Sequence, residues 1–200
     1  MAIIQSGDSA ELWTIDPTSN AGRVTLYRPD GAVYDQIPTG VYSFCIQDVA
    51  GTAGANNFLS LFNPSASTKT VKIFRVQYNA YGVAVTVAKN SMHIGRITAA
   101  SAGTLQAASA ICFHKSTFSN PISELRTANP TVTAVAEWLG YPPPVVITAA
   151  STDSPAAFEW SADNPDELLT LAPNEGIVFR TTVAGDVDQT YNFKVGWMEF

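Results

Sequence analysis

The segment that most constrains the fold is LLTLAPNEGIVFRTTVAGDVDQTYNFKVGWMEF, the final thirty-odd residues of the chain. Ile177, Phe179, Thr181 and Val183 recur at every second position, and so do Tyr191, Phe193, Val195 and Trp197. A period of two sends successive side chains to opposite faces of an extended backbone, which is the pattern of half-buried β-strands. Between the two runs lies AGDVDQ, where Gly185-Asp186 offers the turn chemistry of a hairpin. The segment therefore reads as two strands joined by a hairpin, in a chain built from sheets.

Upstream, the same signals repeat. FLSLF, TVKIFRVQY, AVTVA, HIGRIT and ASAICFHK are short apolar or alternating runs separated by turn residues such as NPSAST. In TVKIFRVQY the apolar parity switches between Ile73 and Phe74, so either both faces of that strand are covered or a bulge sits there. Ile111 and Phe113 face one way, and Cys112 and His114 the other. The helix signals are short: Asn120-Pro121 opens a candidate that must stop before Pro130, and Asn164-Pro165 with Glu167 opens a second. GYPPPVV at 140–146 is stiff and extended, because consecutive prolines fix φ and cannot donate to a ladder. Eight or more strands at intervals of about ten residues, with no βαβ alternation, define an all-β, antiparallel sandwich or jelly roll with one or two very short helices.

The first 55 residues differ from the rest. Leu12 to Ile15 reads as a short strand, DPTSNAG as a turn, and RVTLYRPDGAVYDQI as a hairpin around Pro29-Asp30-Gly31. Val24, Leu26, Val33 and Ile37 supply one apolar surface of that hairpin, and Tyr27 and Tyr34 are presented elsewhere. A lone hairpin is marginal in water and needs a surface to pack on, whether its own domain, a neighbouring subunit or another protein. With GTAGANN at 51–57 as the linker, the expected organisation is an N-terminal hairpin arm over 1–55 and a β-sandwich over 56–200.

Composition narrows the function classes. Two hundred residues with 46% hydrophobic content suffice for one buried core. Only 14% are charged, against about 25% in typical soluble domains, and such a bland surface suits packing against protein. A net charge of −6 with scattered basic residues argues against nucleic acid and against a membrane-surface patch. The opening MAIIQSGDSAELW lacks the basic and apolar regions of a secretory signal, which leads to the expectation that the protein is made in a cytoplasm. In that setting Cys45 and Cys112 are expected to be reduced, buried small hydrophobes.

No motif carries catalysis. Cys112, His114, His93 and Cys45 are the soft ligands of the chain, without C-x-x-C or H-x-x-x-H spacing, so packing on strand faces is favoured over a metal site. The carboxylates Asp163, Asp166, Glu167, Asp186 and Asp188 sit in turn-like sequence, where Asp bonds its own backbone. G-x-S-x-G, a phosphate-binding glycine loop and H-E-x-x-H are all missing. The reading is a non-enzyme with no cofactor and no metal. The aromatics Trp138, Tyr141, Phe158 and Trp160 flank the triple proline. Either they belong to the core, or some serve as protein contacts or as a sugar-stacking platform. The candidate contact residues are Tyr27, Tyr34, Trp138, Tyr141 and Trp160.

DPTSNAGRVTLYRPDG, NNFLSLFNPSASTKTVKIFRV and LAPNEGIVFRTTVAGDVDQTYNFKVGWMEF together resemble the small β-proteins of tailed-bacteriophage structural modules, in particular capsid decoration (cement) proteins. The resemblance implies a structural virion protein on the capsid surface, made in the host cytoplasm. It would bind the major capsid protein and its own copies, with a trimer favoured, and would stabilise contacts between shell subunits. A neck, tail or fibre-base subunit fits the same pattern, and a carbohydrate- or receptor-binding sandwich is the alternative from another class.

Overall fold

The computed structural model describes residues 4–5, 12–15, 22–24, 38–52, 56–82, 88–89, 92–137, 146–147, 156–162, 168–181 and 189–200. The chain divides into an N-terminal unit, Met1–Pro38, and a larger unit, Thr39–Phe200. The N-terminal unit holds β1 (Ile4–Gln5), β2 (Leu12–Ile15) and β3 (Gly22–Val24), paired antiparallel in the order β1-β2-β3. β2 is the strand read at 12–15. The hairpin expected around Pro29-Asp30-Gly31, with Tyr27 and Tyr34, lies outside the described residues.

The larger unit continues with β4 (Gly40–Ala50), β5 (Asn56–Asn63), β6 (Val71–Gly82), β7 (Ala88–Lys89), β8 (Met92–Ser101) and β9 (Thr104–Leu105). It then runs through β10 (Cys112–Phe113), β11 (Glu124–Thr127), β12 (Thr131–Glu137), β13 (Val146–Ile147), β14 (Ala156–Ser161), β15 (Leu169–Leu171), β16 (Glu175–Thr181) and β17 (Gln189–Glu199). One six-stranded sheet has the order β10-β4-β17-β6-β14, with β15 also on β6, and the other runs β12-β8-β16-β5-β11-β9. β7 and β13 pair with each other as a separate ribbon. Every pairing within the two large sheets is antiparallel.

Alternation explains why the two sheets close on each other. Tyr191, Phe193, Val195 and Trp197 of β17 are at most 1% exposed, and so are Ile177 and Phe179 of β16. The two sets belong to different sheets and meet across the interior. Phe179 lies 5.3 Å from Phe193, and Phe58 4.9 Å from Tyr191, between ring centroids. The architecture is thus the all-β antiparallel sandwich that the alternation predicts. Its central core draws on both sheets, and a smaller cluster of Phe62, Ile97 and Val178 covers the far side of the second sheet.

Three local readings are corrected. β16 and β17 do not form a hairpin: β16 pairs with β5 and β8, and β17 with β4 and β6. Period two marks a buried face but does not say which sheet owns it, and here the connection changes sheets. Residues 119–130 are not a helix, because 124–127 form β11, with Leu125 and Thr127 buried and Glu124 and Arg126 ion-paired on the opposite side. Among the described residues the only helical element is the 3-10 turn Ala108–Ala110. Finally, β4 precedes residue 55 yet sits between β10 and β17, so the segment read as an arm contributes a strand to the sandwich. The helix candidate opening at Asn164-Pro165 lies mostly outside the described residues, and the chain is a strand again at β15.

Tyr42 shows how the core couples to charge. Its ring packs against Phe113 and Trp197, and its hydroxyl donates to the Ser119 carbonyl at 2.8 Å. Burial, reinforced by the nearby Glu199 carboxylate, pushes the phenol up to about 12 from 10.0. The folded state therefore holds this proton more tightly than the unfolded chain does. The associated stability is fully present below pH 10 and is lost as pH rises from there towards 12. Denaturant unfolding of wild type and Tyr42→Phe between pH 9 and about 12 is expected to show a steeper alkaline decline in wild type. Parallel curves would refute the coupling.

Candidate functional site

The two sheets differ on their outward sides. In the second sheet, β5 is buried on both faces from Phe58 to Asn63, and β16 from Gly176 to Phe179. In the first sheet, β17 alternates instead: Asn192, Lys194 and Met198 are partly exposed between fully buried neighbours. β4 does the same, with Ser43 and Cys45 outward and Tyr42 and Phe44 inward. The outward face of β10-β4-β17-β6-β14 is therefore the large open surface of the described sandwich.

Register lays this face out in rows. Cys112, Ser43, Gly196, Arg75 and Ser161 stand opposite one another across five strands. Cys45, Lys194, Gln77 and Glu159 form the next row. Arg75 is ion-paired with Glu159 at the surface, where such a pair contributes little. Lys72 stands over the Phe200 ring at 4.7 Å, and neither it nor Lys194 has a carboxylate partner among the described residues. The face is mostly neutral and polar, with a slight excess of positive charge.

One apolar feature interrupts it. The pairing of β17 with β6 skips from Gly196–Arg75 to Trp197–Ile73, so Phe74 is an extra residue on β6. This is the bulge that the parity switch at Ile73–Phe74 allows. It turns the Phe74 ring outward over Gly196, where an added Cβ would come within 2.6 Å of the ring. His114 meets Phe74 edge-on at 6.1 Å. Glycine at 196 is what leaves room for the ring there.

Of the five aromatic contact candidates, Tyr27, Tyr34, Trp138 and Tyr141 lie outside the described residues. Trp160, on β14, is partly buried and packs against the core, as does Phe158, which stacks on Tyr78 at 5.7 Å. The expectation of buried cysteines fails: Cys45 and Cys112 are both free and exposed. Their parity is opposite to that of Phe44, Ile111 and Phe113, which point inward, so the thiols must point outward. Cys45, Cys112 and His114 belong to the first sheet and its edge, whereas His93 is fully buried in the second, so the four soft ligands do not converge. Among the described residues, no group of three or more His, Cys, Asp or Glu side chains is placed to hold a metal. The acidic loop residues Asp163, Asp166, Glu167, Asp186 and Asp188 lie outside the described residues.

Comparison with known proteins found no matching family model, no matching curated protein and no matching solved structure.

Proposed function

We propose that the chain is a structural virion protein that binds the outside of a bacteriophage capsid as a homo-oligomer and stabilises contacts between shell subunits. The observation that carries this reading is the open face of the first sheet. β4 and β17 run eleven residues each, flanked by β6, β10 and β14. Five strands at a spacing of about 4.8 Å and a rise of about 3.4 Å per residue present on the order of 700 Å². That approaches the ~800 Å² per partner of a standard protein interface. A sheet backed by a packed core is rigid, so docking on it orders few side chains. The resemblance of the three strand-and-turn segments to decoration proteins is the support for taking the major capsid protein as the partner.

The test is sedimentation velocity of the full-length protein, alone and with shells assembled from the capsid protein of the same genome. The expected result is a discrete oligomer, with a trimer favoured, co-sedimenting with shells at fixed stoichiometry. The double substitution Gln77→Glu/Lys194→Glu should weaken binding by roughly tenfold or more through charge while leaving the thermal midpoint near wild type. A wild-type protein that ignores shells overturns the proposal. Unchanged binding by the folded variant removes this face as the contact.

A further inference from the structure

The open face carries two thiols, and register makes them neighbours. Cys112 stands directly opposite Ser43, and Cys45 follows Ser43 two positions along β4 on the same side. Cys45 and Cys112 are therefore diagonal cross-strand neighbours, both exposed and both free. Diagonal partners in an antiparallel pair have Cα atoms about 7–8 Å apart, with Cβ atoms somewhat closer. A disulfide needs a Cα separation of about 4.4–6.8 Å. An approach of about 1 Å would close the gap.

The element that must move is the one least held by the sheet. β10 is a two-residue edge strand that pairs only with β4, through Cys112 and Phe113. The 3-10 turn before it, Ala108–Ala110, buries none of its residues. Ile111 and Phe113 pack inward on either side of Cys112. They allow a small adjustment and oppose a large one.

We propose that Cys45 and Cys112 form a redox modification site, in which a small disulfide oxidant of the glutathione class converts the thiol pair into a cross-strand disulfide that clamps β10 onto β4. One protein thiol, as thiolate, attacks a sulfur of the oxidant. The oxidant's S–S bond breaks, a protein–glutathione mixed disulfide forms, and one glutathione thiol leaves. The second protein thiol, having lost its proton, attacks the protein-side sulfur of that mixed disulfide, and the second glutathione leaves. In sum the two cysteines give up two electrons and two protons, and the oxidant is reduced to two thiols. The reduced pair leaves the β10 edge without a covalent tie to β4. The oxidised pair pins it and closes that end of the face. This inference does not depend on what the face binds.

The test equilibrates the native full-length protein with glutathione at graded ratios of disulfide to thiol, followed by intact mass and non-reducing peptide mapping. The expected product has lost two hydrogen atoms, has no titratable thiol, and yields one cross-linked peptide joining Cys45 to Cys112. Cys45→Ser and Cys112→Ser should each stop at a single glutathionyl adduct. Amide exchange over 108–113 should slow by roughly tenfold or more in the oxidised wild type relative to the reduced protein. Two separate glutathionyl adducts on wild type, a disulfide-linked dimer in place of the internal bridge, or thiols that remain unreacted in the folded protein would each overturn the proposal.

Discussion

Replacing Glu199 with alanine is expected to destabilise the protein by about 3–5 kcal/mol, a fall in Tm of roughly 10 °C for a chain of this size. The Glu199 side chain is completely buried and serves as the acceptor for a loop with no regular structure of its own. Its Oε1 accepts from the backbone N–H groups of Ile122 at 3.0 Å and Ser123 at 2.9 Å, and from Ser123 Oγ at 2.8 Å. Its Oε2 accepts from Ile122 at 3.1 Å and from Lys69 Nζ at 3.4 Å. Lys69 keeps some solvent access and can rehydrate, but Ser123 cannot, being 5% exposed. Most of the cost therefore comes from donors stranded in the interior rather than from the lost ion pair. Glu199→Gln retains one acceptor oxygen but turns an NH₂ toward those donors, and should lose less than alanine. It also removes a charge that raises the Tyr42 pKa, so its alkaline stability loss should span a narrower pH range than that of wild type. Urea unfolding read by tryptophan fluorescence decides the matter. An alanine variant within about 1 kcal/mol of wild type would mean that the carboxylate does not hold the loop.

The same contact shows why part of this fold is legible in sequence and part is not. The alternating sets on β17 and β10 identify buried faces correctly, because period two is a local property of an extended backbone. β16, by contrast, is buried on both faces from Gly176 to Phe179, and its alternation marks no open side there. The bulge at Phe74 is also visible, as a break in that period. Ownership of a face by one sheet or the other is a long-range matter, and the supposed hairpin between β16 and β17 fails on it. Asn120-Pro121 advertises open N–H groups ahead, as a helix N-terminus does. Those groups at 122 and 123 are bonded instead by a side chain 76 or 77 positions away. No local pattern could have announced Glu199 as their partner. The open face was missed for a related reason: the outward residues of β4, β6 and β17 are mixed, and only the pairing order brings them together. Compartment and residue type favour buried cysteines, yet the inward-facing neighbours Phe44, Ile111 and Phe113 set the thiols outward.

Phe193→Ala is expected to cost about 3–5 kcal/mol, comparable to the loss of Glu199. Phe193 is 1% exposed, and its ring touches rings of both sheets. Its centroid lies 5.3 Å from Phe179 and 5.5 Å from Phe58 in the second sheet, and 5.9 Å from Tyr191 and 6.5 Å from Tyr78 in its own. Truncation leaves a cavity lined by four aromatic rings that are themselves tied to different strands, so collapse around it is limited. Phe193→Leu keeps most of the volume and should lose less than half as much, about 1–2 kcal/mol. Residues 193 and 199 share β17, but six residues of strand separate them by roughly 20 Å, and their contacts do not overlap. Their effects should then add within about half a kcal/mol. The sum for Phe193→Ala/Glu199→Ala, about 6–10 kcal/mol, reaches the whole stability of a typical domain. The double variant is expected to be largely unfolded at 25 °C, with its β-sheet circular dichroism lost, while each single variant remains folded. A folded double variant with stability close to either single would show that the two positions on β17 are coupled after all.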